Sequence, residues 1–227
     1  DHGDRDTARI HSLAYMINES KNDATAPHTA HIYAGKDHIR EYMGSRVLKI
    51  HPKSFYQTNP KQAVRLCEVA KEMAELSGNE TLYDLYCGIG SIGLFLSDRA
   101  GRVVGIDNVP EAIENARENV HANGAENCRF VEGDVKDLLN AQFLAEYGRP
   151  DVVVLDPPRA GVHPKVLETL LQVLPSQIVY VSCNPATQAR DLVELATAYE
   201  IRRIQPVDMF PQTYHIENVV DLRVKSA

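Results

Sequence analysis

The fold of this chain is decided by Tyr83-Asp84-Leu85-Tyr86-Cys87-Gly88-Ile89-Gly90-Ser91-Ile92-Gly93, in which an apolar run leads into a glycine-rich turn. A second apolar run, Ile92 to Leu96, follows the turn at once. The pattern predicts a buried strand, a tight turn and a helix start, as in the first β–α unit of a nucleotide-binding sheet. The three glycines also satisfy G-x-G-x-x-G, which alone is a weak indication of what is bound.

Strands and helices alternate from Thr81 onward. Strands are predicted at 81–86, 102–107, 127–132, 152–155, 178–181, 201–208 and 216–224. Helices are predicted at 91–99, from Pro110 to Gly124, from Pro164, and at 186–198. Repeated β–α units with apolar strands are typical of a parallel sheet covered on both faces, so we expect an α/β fold.

Residues 1–58 predict a small β-rich lead-in to this sheet. Strands are expected at Ile10–Ile17, His28–Tyr33 and Val47–Ile50, with a polar loop over Asn18–Thr25. The histidines at 28, 31 and 38 have mixed spacing and no cysteine partner, so we interpret them as solvated strand residues and expect no metal site.

A helix is predicted directly after the lead-in. Asn59 can cap it, Pro60 suits its first position, and apolar residues then recur at helical spacing until Gly78 ends the run. Cys67 lies on the apolar face of this helix. We interpret it as a core residue, and Cys128 likewise.

Composition limits the classes of function. The 227 residues carry 31 acidic and 24 basic side chains, a net charge of −7, which counts mildly against nucleic acid without excluding a local basic patch. The four cysteines form no C-x-x-C, so we expect a reducing, cytoplasmic setting without disulfides or metal clusters. No apolar run approaches ~18 residues and no signal peptide is visible. The chain begins without methionine, and we expect it to be part of a longer protein.

Polar residues stand at five predicted strand ends, where ligands of such sheets bind. A single acidic residue after a strand is commonly a loop cap, but their presence at successive strand ends is hard to obtain by chance. We therefore expect one site formed by Tyr86-Cys87-Gly88, Asp107, Asp134, Asp156 and Cys183.

The nature of the cofactor is argued from two carboxylates. Asp107 lies 19 residues beyond Gly88, as expected of a ribose-binding carboxylate, which both NAD and S-adenosylmethionine require. Asp84 precedes the turn, where a carboxylate would repel a pyrophosphate but attract an ammonium and a sulfonium. We therefore favour S-adenosylmethionine, with Asp134 on the adenine amino group, and keep an NAD-binding oxidoreductase as the alternative from another class.

Cys183 follows a buried strand and precedes Asn-Pro, so it is expected at the site near a helix start, where a thiolate is stabilised. A thiolate fits methylation of a carbon that is not nucleophilic, such as C5 of uracil. Its addition to C6 makes C5 nucleophilic, and a base must then remove the C5 proton. His215 and Glu217 are two residues apart at the start of the last strand, so they would share a face, and either could be that base.

Three further motifs carry a family resemblance: Asp156-Pro157-Pro158-Arg159-Ala160-Gly161, Ser182-Cys183-Asn184-Pro185 and Phe210-Pro211-Gln212-Thr213-Tyr214-His215-Ile216-Glu217. They resemble those of the S-adenosylmethionine-dependent RNA uracil-5-methyltransferases, and 55–59 and 85–90 match the same family. The resemblance covers about residue 46 to the end. It implies a Rossmann-like, doubly wound methyltransferase domain at 59–227, mostly parallel with an antiparallel strand near the C-terminus.

The resemblance also implies residue roles. Cys183 would be the nucleophile and Glu217 the proton-abstracting base. Arg159 would hold an RNA phosphate or a uracil carbonyl, with His215 as a supporting residue. The cofactor pocket would be formed by Gln57, Tyr86, Gly88, Ser91, Asp107, Asp134 and Asp156, the last of which could instead touch the uracil.

The expected partner is RNA, ribosomal or transfer, acted on by a cytoplasmic monomer. Members of the family usually have an N-terminal RNA-binding β-barrel, and some have an iron–sulfur cluster; this sequence shows neither. Methylation of a nitrogen or another nucleobase atom is an alternative, but it favours an aromatic residue where Arg159 stands and leaves Cys183 without a role. A catalytically silent RNA-binding remnant is a third possibility.

Overall fold

The computed structural model describes residues 10–19 and 28–225, so most of the predicted loop at Asn18–Thr25 lies outside the described residues. The strands are β1 (Ser12–Met16), β2 (Ala30–Gly35), β3 (Ile39–Met43), β4 (Arg46–Ile50), β5 (Thr81–Leu85), β6 (Arg102–Asp107), β7 (Cys128–Glu132), β8 (Val152–Leu155), β9 (Gln177–Ser182), β10 (Tyr199–Val207) and β11 (Glu217–Val224). The helices are α1 (Pro60–Ala74), α2 (Ser91–Leu96), α3 (Pro110–Asn123), α4 (Val135–Leu138), α5 (Ala141–Tyr147), α6 (Pro164–Val173) and α7 (Pro185–Leu195). None of the helices in those ranges has the length and apolar character that a bilayer crossing requires.

The main sheet has seven strands in the order β10-β11-β9-β8-β5-β6-β7. The five strands from β5 to β9 pair in parallel, and β11 is antiparallel to both β9 and β10. After β7 the chain crosses to the other side of β5 and adds β8 there, so β5 and β8 form the topological switch point. A crevice is expected beyond their carboxyl ends. The predicted doubly wound fold with an antiparallel C-terminal strand is confirmed.

Two apolar cores cover the two faces of the sheet. Helices α1, α2 and α3 pack on one face together with Leu82, and α5, α6 and α7 pack on the other with Tyr83 and Leu85. The alternation follows from the two-residue period of a strand, which sends successive side chains to opposite faces. Each fully buried aliphatic side chain contributes about 1.5–3 kcal/mol, so these cores supply most of the driving force.

The glycine turn after β5 depends on close packing against Phe130. Gly90 has φ +77°, and a Cβ there would lie 2.5 Å from the Phe130 ring; a Cβ at Gly105 would lie 2.3 Å from it. The amides of Tyr86 and Cys87 both donate to the carbonyl oxygen of Ile106, at 2.9 and 3.1 Å. The turn is therefore fixed to the neighbouring strand, and only glycine fits where Phe130 presses on the backbone.

The structure corrects the ends of three predicted helices and adds three elements that the sequence does not predict. Helix α2 ends at Leu96 and not at 99, and α7 ends at Leu195 and not at 198. Helix α1 ends at Ala74, with Glu75 at φ 47°, and not at Gly78. The amides of residues 77–79 instead donate to the Glu80 carboxylate at 2.9–3.2 Å, which forms a turn before β5. The added elements are β3, α4 and α5, the last capped by Asn140, which accepts from the amides of residues 142 and 143.

Two antiparallel hairpins precede the main sheet: β1 pairs with β2, and β3 pairs with β4. His31 stacks on Tyr15 with ring centroids 5.1 Å apart, and His38 bonds its neighbour Asp37 at 2.7 Å. Within residues 10–19 and 28–225, no three His, Cys, Asp or Glu side chains are grouped so that they could bind a metal ion.

Strand β4 is attached to the main domain by an asparagine ladder, the side chains of Asn115, Asn119 and Asn123 on one face of α3. The Lys49 amide donates to Asn119 Oδ1 at 2.8 Å, and the Lys49 carbonyl accepts from Asn115 and Asn119 at 3.0 and 3.1 Å. Asn123 makes the same reciprocal pair with Val47, at 2.9 and 2.8 Å. The ladder replaces the partner strand that this side of β4 lacks.

We predict that Asn119→Ala lowers the free energy of unfolding by about 2 kcal/mol, because it leaves the part-buried Lys49 amide without its acceptor and removes a fully buried side chain. Chemical denaturation measures the change. Glu114→Ala, an exposed position on the same helix, is the matched control and should change stability by less than about 0.5 kcal/mol. Equal effects of the two substitutions would contradict the structural role of the ladder.

Candidate active site

A cavity of about 1230 Å³ opens at the carboxyl ends of the central strands. Pockets that take one small molecule typically measure roughly 300–1,000 Å³, so this cavity has room for two ligands side by side. The structure brings together the predicted site residues other than Asp84. Its lining includes Gln57, Tyr86, Gly88, Ser91, Asp107, Asp134, Asp156, Arg159, Cys183, His215 and Glu217.

Asp107 closes the glycine turn on one side of the cavity. Its Oδ2 accepts from the amide of Gly88 at 2.9 Å, and its Oδ1 accepts from the amide of Val109 at 2.9 Å. Each carboxylate oxygen can accept two hydrogen bonds, so both can still accept one from a ligand hydroxyl. The position and free acceptor sites suit a ribose.

Asp134 caps helix α4 at the same side of the cavity. Its Oδ1 accepts from the Lys136 amide at 3.1 Å, and its Oδ2 pairs with the Lys136 ammonium. These hydrogen bonds hold the pKa of Asp134 below its usual value. A ligand amino group at this carboxylate would therefore share it with Lys136.

Asp84 does not lie where the sequence argument placed it. Its side chain is 1% exposed and is not among the described residues that line the cavity. Oδ2 accepts from the Gly93 amide at 2.8 Å, and burial raises the pKa of the carboxyl to about 7. The residue thus fixes the start of α2 from behind the turn, and its geometry does not distinguish between the two cofactors.

Tyr86 and Gln57 both line the cavity. Tyr86 has φ 66°, a conformation that costs a non-glycine residue on the order of 1–3 kcal/mol and that clusters at functional sites. Burial raises its pKa to about 12, so the phenol stays a hydrogen-bond donor. The loop of Gln57 is tied across the cavity by Asn59, whose side chain donates to the Met209 carbonyl at 2.9 Å.

Cys183 is half-buried immediately before α7. Burial raises the pKa of its thiol, the nearby Glu217 and Asp156 carboxyls raise it further, and the Arg159 guanidinium opposes them. The sequence analysis expected the helix start to favour the thiolate. This expectation is wrong for the protein alone, because desolvation and two acidic neighbours outweigh a helix-end effect of about 1 kcal/mol.

Glu217 is the first residue of β11 and is 7% exposed. Burial raises the pKa of its carboxyl to about 7, while Arg159 acts in the opposite direction. Burial also raises the pKa of Asp156 well above its usual value, and Glu217 raises it further. Both carboxyls therefore have a raised pKa, and perturbed pKa values of this kind are common at functional sites.

His215 lies in the turn before β11, so it does not share a strand face with Glu217 as predicted. Its amide donates to Thr213 Oγ1 at 3.2 Å, and its ring contacts that of Tyr214 in a tilted arrangement, with centroids 4.2 Å apart and planes 40° apart. Both His215 and Glu217 nevertheless line the cavity.

Gln188 on α7 holds Glu217 in place, and the sequence analysis did not identify it. Its side chain is buried, donates to the carbonyls of Tyr180 at 2.9 Å and Asn218 at 3.2 Å, and accepts from Asn218 Nδ2 at 2.7 Å. The sequence feature that could have identified Gln188 is a glutamine on the buried face of a predicted helix. It fixes the strand that begins with Glu217 next to the strand that leads to Cys183.

The charge state of Glu217 should limit stability above neutral pH. The unfolded carboxyl, with its usual pKa of 4.5, ionises first, so the folded state loses relative stability as pH rises from 4.5 to about 7. We predict that Glu217→Gln raises the free energy of unfolding at pH 8 by on the order of 3 kcal/mol and leaves it unchanged at pH 4. Denaturant titrations at both pH values measure this. The exposed Glu168→Gln is the control, and a gain independent of pH would refute the prediction.

The sequence matches the tRNA (uracil-5-)-methyltransferase family over residues 28–225. It is 50% identical over 216 residues to an uncharacterised RNA methyltransferase of Bacteroides thetaiotaomicron, covering 95% of this chain and 48% of that protein. A second such protein, from Porphyromonas gingivalis, is 51% identical over 214 residues, covering 93% and 46%. The chain thus spans about half the length of the curated relatives that it matches.

Solved structures of RNA methyltransferases resemble this chain as well. The Pyrococcus abyssi tRNA (uracil-54, C5)-methyltransferase, in complex with S-adenosyl-L-homocysteine, superimposes with a TM-score of 0.80 at 38% identity, covering 95% of this chain and 51% of that one. A Methanocaldococcus jannaschii tRNA m1G37 methyltransferase has a TM-score of 0.64 at 16% identity, covering 88% and 61%, and shares the fold. With the family match over most of its length, this chain belongs to the tRNA (uracil-5-)-methyltransferase family.

Proposed function

We propose that this chain transfers a methyl group from S-adenosylmethionine to C5 of a uridine in RNA, giving 5-methyluridine, through a covalent bond between Cys183 and C6. The observation that carries the proposal is the meeting of three groups in one cavity: a thiol, a carboxyl with a pKa of about 7, and an arginine. Family membership supports the same chemistry. Residues 59–227 would form the methyltransferase domain of a longer cytoplasmic protein, with 1–58 as its β-rich lead-in.

The residues present fit the cofactor. The glycine turn leaves open space at Gly88, where a Cβ would meet nothing within 4 Å, and Asp107 offers free acceptor sites beside it. We assign the ribose to Asp107 and the adenine edge to Asp134, with Gln57, Tyr86, Ser91 and Asp156 around the rest of the molecule. When bound, S-adenosylmethionine supplies the methyl group on a positively charged sulfonium.

Arg159 is the side chain best placed to hold the RNA. Four cationic side chains of lysine or arginine line the cavity, and three of them are paired: Lys53 with Glu111, Lys136 with Asp134, and Arg190 with Asp191. Arg159 has no ion pair among the described residues. It can therefore bind a phosphate or a uracil carbonyl without first breaking another contact, which offsets the net charge of −7 locally.

The covalent step begins at Cys183. The Cys183 thiol first loses its proton to water, and the resulting thiolate forms a bond from Sγ to C6 of the uracil. The electrons of the C5–C6 double bond move toward the C4 carbonyl oxygen, which gives an enolate in which C5 is nucleophilic. C5 then takes the methyl group, and the bond between that methyl carbon and the sulfonium sulfur breaks. Arg159 is the cationic residue that favours both the thiolate and the enolate, and Asp156, whose pKa is raised by burial, lines the same cavity.

Glu217 completes the reaction as the base. It removes the proton from C5, the electron pair re-forms the C5–C6 double bond, and the bond between Sγ and C6 breaks to return the thiolate. A base is most effective when its pKa lies near the working pH, and the pKa of about 7 meets that condition. His215, two residues before it in the chain and in the lining of the same cavity, is the supporting residue.

The proposal is tested by mapping 5-methyluridine in total RNA. Cells that lack the gene are complemented with the whole protein, either wild-type or Cys183→Ala, and nucleosides are analysed by mass spectrometry at each position of ribosomal and transfer RNA. We expect at least one 5-methyluridine that is present with wild-type and absent with Cys183→Ala. A methylated nucleoside of another kind would replace the proposal with its alternative, another nucleobase atom.

Trapping experiments separate the roles of the two catalytic residues. RNA carrying 5-fluorouridine should form a covalent adduct with wild-type protein, because fluorine does not leave C5 as a proton does. Glu217→Gln should form the same adduct and, with ordinary uridine, should also accumulate a methylated adduct that is released slowly. Denaturing gels measure both. An adduct with Cys183→Ala, or normal turnover by Glu217→Gln, would show that the roles are misassigned.

A further inference from the structure

The loop that carries Arg159 is held from one side by helix α7. The carbonyl oxygen of Arg159 accepts from Asn184 Nδ2 at 3.0 Å and from Thr187 Oγ1 at 3.1 Å. The next carbonyl, that of Ala160, accepts from Arg190 Nη2 at 2.9 Å. All three donors belong to α7 or its cap, so the helix fixes the backbone of this loop and leaves the Arg159 side chain exposed to the cavity.

Asp191 is the buried residue on α7 whose carboxylate accepts hydrogen bonds from this loop, from β9 and from Arg190. The side chain is 1% exposed, and its Oδ2 accepts from the Val162 amide at 2.8 Å and from the Tyr180 hydroxyl at 2.7 Å. Its Oδ1 accepts from Arg190 Nε and Nη2 at 2.9 and 2.7 Å. One carboxylate therefore joins the loop after β8, the middle of β9 and the side chain that holds Ala160.

Gly161 shows how closely the loop lies on this carboxylate. Its φ is +84°, and a Cβ would lie 2.7 Å from Asp191 Oδ2 and 2.5 Å from Arg190 Nη2. The backbone thus rests directly on the ion pair, without an intervening side chain. Because interiors are close-packed, a change in the carboxylate moves the loop.

A buried carboxylate is an unusual way to stabilise a loop. Well-packed apolar residues often stabilise a protein as much as a buried ion pair does, whereas a carboxylate with several donors accepts them from fixed directions only. Directional contacts are useful where a backbone segment must be held in one position. Here the loop 159–162 is held in position relative to β9, which ends at Ser182, one residue before Cys183.

We propose that Asp191 is a positioning residue, which fixes the loop 159–162 against α7 and β9 and so sets the Arg159 guanidinium relative to Cys183. The structural part of this inference stands on the contacts alone. Its catalytic part rests on the proposed function, in which Arg159 acts on the uridine and on the thiolate. Asp191 lies at the lining of the same cavity but is only 1% exposed, and both of its carboxylate oxygens already accept hydrogen bonds from the protein.

Hydrogen exchange tests the structural part without any substrate. In Asp191→Ala, the Val162 amide should exchange at least about tenfold faster, because it loses a hydrogen bond to a charged group. Limited trypsin digestion should also cleave the Arg159–Ala160 bond faster. Amides in β5 and β6 should be unaffected, and Glu168→Gln, a carboxylate on α6 that is exposed to solvent, should change neither readout.

Tyr180→Phe keeps the test decisive if Asp191→Ala does not fold. It removes only one of the four donors to the carboxylate, so we expect the same local change at Val162, with a smaller magnitude. Unchanged exchange at Val162 in a folded Asp191→Ala overturns the proposal. So does a uniform loss of protection across the domain in Asp191→Ala with no local change in Tyr180→Phe.

Kinetics of the whole protein test the catalytic part. A misplaced catalytic group can cost on the order of 100-fold, so kcat for RNA methylation by Asp191→Ala should fall by that factor. The Kd for S-adenosylhomocysteine, measured by calorimetry, should stay within about twofold, because Asp107 and the glycine turn are untouched. Equal losses in kcat and in affinity for S-adenosylhomocysteine would indicate that the substitution disrupts the whole domain, and would overturn the assignment of Asp191 as a positioning residue. If wild-type protein methylates no uridine, the proposed function fails while the exchange result still decides the role of Asp191 in the loop.

Discussion

This site depends on the burial of carboxyl groups near the switch point of the sheet. Asp84, Asp156 and Glu217 all have a raised pKa, and in each case burial is the largest cause. Asp84 belongs to the central strand β5, Asp156 directly follows β8, and Glu217 begins β11, so all three belong to or adjoin interior strands of the sheet. Arg159 lowers the pKa of Glu217 and of the Cys183 thiol and so opposes the effect of burial at this site.

Helix α7 organises the three segments that meet at this place. The segment before its first turn carries Cys183, the same turn binds the Arg159 carbonyl, and the buried face of the helix binds Asn218 beside Glu217 through Gln188. The contact with the Arg159 carbonyl and the contact with Asn218 are both side-chain hydrogen bonds, which have defined directions. Reacting groups from three separate strand ends are therefore held by one rigid element, which is how the fold achieves precision at a site made of loops.

The sequence was sufficient for the parts that depend on local pattern. Apolar runs that end in polar residues predicted the five central strands, and the same positions, from Tyr86 to Cys183, gathered in one cavity. Contacts between distant segments could not be predicted, because no local sequence pattern indicates that Asn119 bonds to Lys49 or that Asp191 bonds to Val162. The predicted thiolate at Cys183 failed for the same reason, since its acidic neighbours come from other strands.

The asparagine ladder differs from the cavity in the forces that it uses. Its groups are neutral amides that neither titrate nor attract counterions, whereas contacts of Arg159 with a polyanion weaken as salt is added. Salt can therefore release a bound nucleic acid while β4 remains seated on α3. The loop that follows β4 leads to Gln57, which lines the cavity, so we expect the ladder to hold this part of the lining at salt concentrations that weaken a contact with Arg159.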